Sequence, residues 1–219
     1  MTESLGNGAA GLPVSRVKDP LTRADVPGVL PMIDTDEVAQ LSAAYGAPLL
    51  RVYNVLADDY IRAYRWKKDA DRRAEVVFAV QDGPGRLWVH AKPHYPAHIF
   101  RLPSGGIHLH ERVEDALRRE VAEEMNLPVE IARFLGIVEY RFWHGPCMVP
   151  FASYVFHLTT GNHTPVCCIG EEISEFRAVL PSQIAQIAVD LRNLIGDRRG
   201  WGQWRALAHD LVYDTIGAV

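Results

Sequence analysis

The chain has 219 residues, 48% of them hydrophobic and 23% charged, and 23 Lys+Arg against 27 Asp+Glu give a formal charge of −4. This balance excludes a disordered or collagen-like chain and leaves no overall positive field for nonspecific nucleic-acid binding. The length predicts one core domain with extensions rather than two domains.

Short basic runs (Arg62 to Lys68, Arg72-Arg73, Arg198-Arg199) are interleaved with acids and read as solvated surface, so a nucleic-acid partner is not expected. Cys147, Cys167 and Cys168 are too few for a disulfide framework. With no leader-like segment and no apolar run long enough to span a membrane, a cytoplasmic location is expected and a membrane partner is not.

Residues 1–33 carry Pro13, Pro20, Pro27 and Pro31 without apolar periodicity and read as a flexible or surface-draped arm. Residues 34–73 read as an N-terminal helical extension. Asp34 is a helix cap with Glu37 three residues on, Val38, Leu41 and Tyr45 recur at helical spacing, and Gly46 and Pro48 stop the helix. A second amphipathic helix is predicted over Leu56 to Lys68. The extended, apolar link Ala47 to Tyr53 argues against a helix-turn-helix unit.

Residues 74–181 alternate β-type runs with Gly/Pro turns and form the predicted core. Glu75 to Val80, a turn at Asp82 to Gly85, and Leu87 to Ala91 make one hairpin; Arg133 to Trp143 and Val149 to Leu158 make a longer one; Glu175 to Val179 is a further strand. Residues 182–219 turn helical again, first on the stripe Ile184, Ile187, Ala188, Leu191 and Ile195, then around Trp204, Ala208, Leu211 and Val212. Trp201 and Trp204 offer apolar surface either for a homodimer or for packing on the chain's own sheet.

Between the hairpins, a turn rich in small residues leads into a helix predicted from about Glu111 to Asn126, a residue that tolerates the left-handed conformation of a helix C-terminus. Val113 and Leu117 set its inward stripe. At 100° per residue, Glu120 and Glu124 fall within that stripe and Glu123 at its edge. Carboxylates gathered within one turn must be protonated, paired or neutralised by metal, and oxygen-only ligands at this spacing suit Mg2+, with Mn2+ as a substitute. Arg119 stands four residues before Glu123, close enough to hold it by a salt bridge. Five histidines (His90, His94, His98, His108, His110) precede or enter this turn, but alternation on extended chain scatters them over both faces and argues against zinc.

Gly105, Glu111, Arg119, Glu120, Val121, Glu123, Glu124 and Leu127 stand at the spacings of a known motif: Gly, five residues, Glu, seven residues, then Arg-Glu-apolar-any-Glu-Glu-any-Gly-apolar. On these residues the chain resembles the Nudix hydrolase family. Asn126 replaces the closing Gly, His110 a frequent Gly before Glu111, and Ser104 a usual Gly in the turn; none removes a carboxylate. The resemblance implies an α+β fold, an α/β/α sandwich on a mixed sheet, to which the N-terminal and C-terminal helical segments would be extensions. It also implies Mg2+-dependent hydrolysis of a diphosphate linkage in a nucleoside diphosphate derivative by water attack on phosphorus. Glu120, Glu123 and Glu124 would bind metal together with the Ser104 backbone carbonyl, and Glu111 would support the array. The general base varies in the family; Glu123 and the loop residues Glu171, Glu172 and Glu175 are its candidates here. For the substrate, Lys92 and Arg101 could meet phosphates, and Tyr95, Phe100 or Trp143 could stack on a base. The second functional class is a nucleotide-metabolite sensor in which the helical extensions contact a partner; the intact carboxylates argue against it.

Overall fold

The structure is a computed structural model and describes residues 29–66, 71–167, 170 and 172–218. Most of the arm predicted over 1–33, the basic residues Lys67 and Lys68, Cys168 and Glu171 lie outside the described residues.

Twelve elements follow in chain order: α1 (Thr35–Tyr45), β1 (Leu49–Leu56), α2 (Asp59–Arg65), β2 (Arg72–Gln81), β3 (Leu87–Ala91), β4 (Ser104–His108), α3 (Val113–Met125), β5 (Glu130–His144), β6 (Cys147–Thr159), β7 (Glu175–Val179), α4 (Ile184–Arg192) and α5 (Arg199–Val212). The strands form one mixed sheet in the order β1-β5-β6-β2-β3-β7, with β4 paired to β2. β1 with β5 and β2 with β6 are parallel, and the remaining pairs are antiparallel. Helices cover both faces, so the fold is an α+β sandwich.

Alternation along the strands gives each face its own core. Val76, Phe78 and Val80 of β2 point to the side covered by α1 and α3, where Leu117, Val121 and Met125 meet the stacked rings of Phe134, Tyr154 and Phe156. Val77 and Ala79 point to the side covered by α2, α4 and α5, where Trp204, 1% exposed, meets Tyr140, Phe142 and Phe151 edge-on.

The segment 34–73 is not wholly helical. Its apolar link is β1, an edge strand in parallel register with β5 from Leu49↔Gly136 to Leu56↔Trp143. That pairing partner lies nearly ninety residues away, out of reach of any local pattern. With a strand between α1 and α2, the two helices form no helix-turn-helix. Trp201 and Trp204 are buried within their own chain, the second of the two alternatives open for their apolar surface. No helix among the described residues is long and apolar enough to cross a membrane.

Candidate active site

The turn Leu102 to Gly106 and the helix α3 bring the acidic residues together. Gly105 faces α3: a Cβ built on it would stand 1.7 Å from the Glu120 carboxyl carbon, so only glycine lets that carboxylate lie against the strand. Asn126 ends α3 in the left-handed region (φ 49°, ψ 44°), and its N–H donates back to the Val121 and Ala122 carbonyls. This is the role its side chain suggested.

Arg119 is the hub of the array. Its Nε and Nη2 make a forked pair with Glu111 (2.8 and 2.9 Å), Nη1 donates to Glu120 (2.8 Å) and Glu123 (2.9 Å), and Nη2 also reaches the Gly106 carbonyl (2.8 Å). Three carboxylates on one guanidinium raise its pKa well above the ordinary value, the hydrogen bonds to Glu111 acting most strongly; burial opposes the rise. Glu111 is lowered in turn: burial pushes it up, but the hydrogen bonds from Arg119 and from the His108 N–H prevail.

Glu124 is different. It is buried and its carboxyl is raised, first by burial, although Lys92 Nζ donates to Oε1 at 3.0 Å. Oε2 has no hydrogen-bond partner; His90 Nδ1 stands 3.9 Å away, beyond bonding distance, on a ring that burial keeps neutral. The predicted stripe therefore splits by depth: Glu124 is buried, Glu120 partly buried, and the Glu123 side chain 50% exposed.

These residues fit a hard divalent cation by donor type, and the unpaired oxygen of Glu124 is an acceptor still open to one. Among the described residues, however, no three His, Cys, Asp or Glu side chains form a ready ligand group. Arg119 holds Glu120 and Glu123, and Lys92 holds Glu124, so loading a cation requires these pairs to exchange partners.

The other expected residues are distributed as follows. Lys92 joins the array through Glu124. Arg101 is buried, and its Nε donates to the Tyr95 hydroxyl (2.5 Å) and its Nη1 to Ser104 Oγ (2.7 Å) and the Leu102 carbonyl (2.9 Å), so it braces the turn instead of facing solvent. Phe100 is also buried, with the Arg177 guanidinium 3.8 Å from its ring centre, which leaves no open face for a base. Trp143 lies at the far end of β5, donating to Asn54. Glu172 is exposed and stands 3.7 Å from His94, two residues from Lys92; Glu175 pairs with Arg177. Of the five histidines, His90 lies in the core, and the group gathers at no single point.

Two supports were not anticipated from sequence. Asp34 caps α1 by accepting from the Glu37 N–H, as expected, but the Glu37 side chain leaves its own helix. Oε1 accepts from the Val113 N–H (2.7 Å) at the start of α3, and Oε2 accepts from Arg73 (2.6 Å), whose Nη2 also bonds the Glu111 carbonyl (2.9 Å). A carboxylate at a helix N-terminus satisfies a free N–H and complements the helix dipole, and Arg112 at the cap position supplies no such bond. The second support is His209 of α5. Its Nδ1–H donates to the Arg205 carbonyl (2.8 Å), leaving Nε2 to accept from the Leu102 N–H (2.9 Å); burial pushes its pKa down to about 3, which keeps it neutral for this task.

Comparison with known proteins agrees with the motif. A family model, the NUDIX domain, matches residues 71–197, more than half of the chain. No curated protein matches the sequence. Among solved structures the chain is similar to the E. coli dihydroneopterin triphosphate pyrophosphohydrolase (13% identity, 68% of this chain and 98% of that one, TM-score 0.46). It is also similar to a NUDIX hydrolase from Nitrosomonas europaea (13%, 65% and 89%, TM-score 0.47) and to the NUDIX domain of Shewanella oneidensis NrtR in complex with ADP-ribose (13%, 59% and 88%, TM-score 0.40).

Proposed function

This chain belongs to the Nudix family and is a Nudix-type hydrolase, and from that premise we propose that it cleaves a diphosphate linkage in a nucleoside diphosphate derivative in the cytoplasm, with Mg2+ as cofactor and Mn2+ as a substitute. The observation that carries this reading is the carboxylate array itself: Glu111, Glu120 and Glu123 on one guanidinium, and Glu124 one turn deeper with an unpaired oxygen, beside two consecutive glycines. Three cysteines, too few and too oddly placed for a disulfide framework, fit a reducing compartment.

Glu120, Glu123, Glu124 and the Ser104 carbonyl would hold the cation. When bound, it would offset the diphosphate charge and lower the pKa of a coordinated water. Arg119 and Glu111 keep the array in register on α3. Lys92, released from Glu124, is placed to take a phosphate oxygen. Arg101 and His209 hold the turn that carries Ser104. Removal of a proton from the attacking water falls to Glu123 or to a loop carboxylate, of which Glu172 lies beside the Lys92 turn and Glu171 outside the described residues.

A panel of nucleoside diphosphate derivatives, assayed for phosphate release with Mg2+ and with chelator, tests the reading. Turnover of at least one member, abolished by chelation, is expected. Tight binding of one member without turnover of any would replace the hydrolase with a sensor.

A further inference from the structure

The sheet face opposite α3 holds a second group of charges that the reaction above leaves unused. Glu75 of β2 points to this side among apolar neighbours, and Arg205 of α5 meets it through Nη1 at 2.9 and 2.8 Å; Ser153 Oγ donates to the same carboxylate at 2.6 Å. That accounts for one guanidinium. Arg65, the last residue of α2, feels the same carboxylate only electrostatically, and Arg72, the first of β2, lies over Gly106, the residue of β4 that pairs with Glu75. The ion pair of Arg72 is with Asp71, largely exposed and 3.6 Å away.

Arg65 is fixed without a carboxylate of its own. Its guanidinium lies 3.8 Å from the ring centre of Phe151, 4.6 Å from Tyr64 and 4.9 Å from Trp204. Burial lowers its pKa to about 10. Arg65 Nε and Arg205 Nε are both buried without a hydrogen-bond partner. Buried donors are ordinarily paired, so two such N–H groups in one cluster need an acceptor. The Tyr64 hydroxyl reports the same field: burial alone would push its pKa up, yet Arg205, Arg65 and Arg72 together hold it below the ordinary value.

This cluster lies next to the carboxylate array. A Cβ on Gly106 would come within 2.8 Å of Arg72 Cζ, so the missing side chain lets Arg72 lie across β4, while Gly105, its neighbour, faces Glu120. Two adjacent glycines thus separate the two groups.

We propose that Arg65, Arg72 and Arg205 form a phosphate-binding recess that takes a phosphoryl group of the substrate other than the two joined by the bond that is cut. Three guanidinium groups against the buried Glu75 and the exposed Asp71 leave an excess of one positive charge, which matches a phosphate monoanion, and planar forked donors suit its oxygens. As a substrate subsite the recess rests on the hydrolase reading; as a phosphate site it does not.

The first test therefore avoids turnover. Inorganic phosphate is titrated by calorimetry into protein freed of metal with EDTA, so that no cation can hold phosphate on the carboxylates. One site is expected. Arg65→Gln should weaken it about tenfold or more, Arg65→Lys less, and Arg62→Gln, exposed on the same helix, should leave it unchanged. If Arg65→Gln does not fold by circular dichroism, Arg72→Gln, whose side chain is 40% exposed, serves instead. No binding by the wild type, or wild-type affinity in the variant, overturns the recess. The second test uses two hydrolysed substrates that differ only by one added phosphate monoester. Arg65→Gln should raise KM about tenfold for the phosphorylated one alone, with kcat held. Equal changes for both overturn the substrate assignment, whereas a silent panel combined with phosphate binding lost in Arg65→Gln removes the hydrolase reading and leaves the phosphate site.

Discussion

The two faces of the sheet hold their charges by opposite means. On the α3 side, carboxylates outnumber cations along one short stretch of chain and run from the buried Glu124 to the half-exposed Glu123, with Arg119 binding three of them at once. On the α5 side, guanidinium groups outnumber carboxylates, lie among aromatic rings, and come from α2, β2 and α5. The first arrangement tolerates exchange of partners, because water and ions can replace what is broken. The second is locked by packing, so a lost ring or charge should be felt as lost stability.

Trp204→Ala puts that contrast under the greatest strain. It removes the ring against which Tyr140, Phe142, Phe151 and Arg65 pack and should cost about 3–5 kcal/mol in denaturant unfolding; a loss under about 1 kcal/mol would show that the α5 face is not locked. Glu37→Ala comes next, at about 3 kcal/mol, because it leaves Arg73 buried without its partner and the Val113 N–H uncapped. Glu124→Gln and Glu123→Gln should each lower turnover at least about a hundredfold, about 2.7 kcal/mol in activation free energy. Their fold should stay intact by circular dichroism, and unchanged turnover would remove them from the mechanism.

A smaller effect concerns pH. His209 has a folded pKa of about 3 against an ordinary 6.5, so between those values the unfolded chain binds a proton that the native one excludes. The stability this neutral ring contributes is complete above about pH 6.5 and falls by about 1.4 kcal/mol per pH unit below it. His90, also pushed well down by burial, acts in the same direction. Urea midpoints at pH 7 and pH 5 measure the slope, and a flat profile would contradict buried neutral histidines. Leu56→Ser, on a side chain 84% exposed at the sheet edge, should change stability by no more than about 0.5 kcal/mol.

What could be read from the sequence follows the same division. Spacing alone located α3, its inward glutamates and the left-handed Asn126, because helix geometry is local. Turn chemistry located both hairpins. The strand β1 escaped because its partner is β5, far along the chain, and an apolar link next to Gly46 and Pro48 has no local signature of pairing. Glu37 escaped because a glutamate three residues after a capping aspartate is already explained within its own helix. Glu75 did leave a trace, as a charged residue opening an otherwise apolar strand; a buried carboxylate in that position calls for a cation, though nothing local could say that it comes from residue 205.

The domain matched at residues 71–197 contains every carboxylate of the array but neither Glu37 nor His209, which steady the start of α3 and the turn before it from opposite ends of the chain. The catalytic box is therefore not portable. A chimera that grafts residues 71–197 between the flanks of another family member would inherit the ligands and lose their anchors, unless the recipient supplied an acidic cap for Val113 and a neutral acceptor for Leu102.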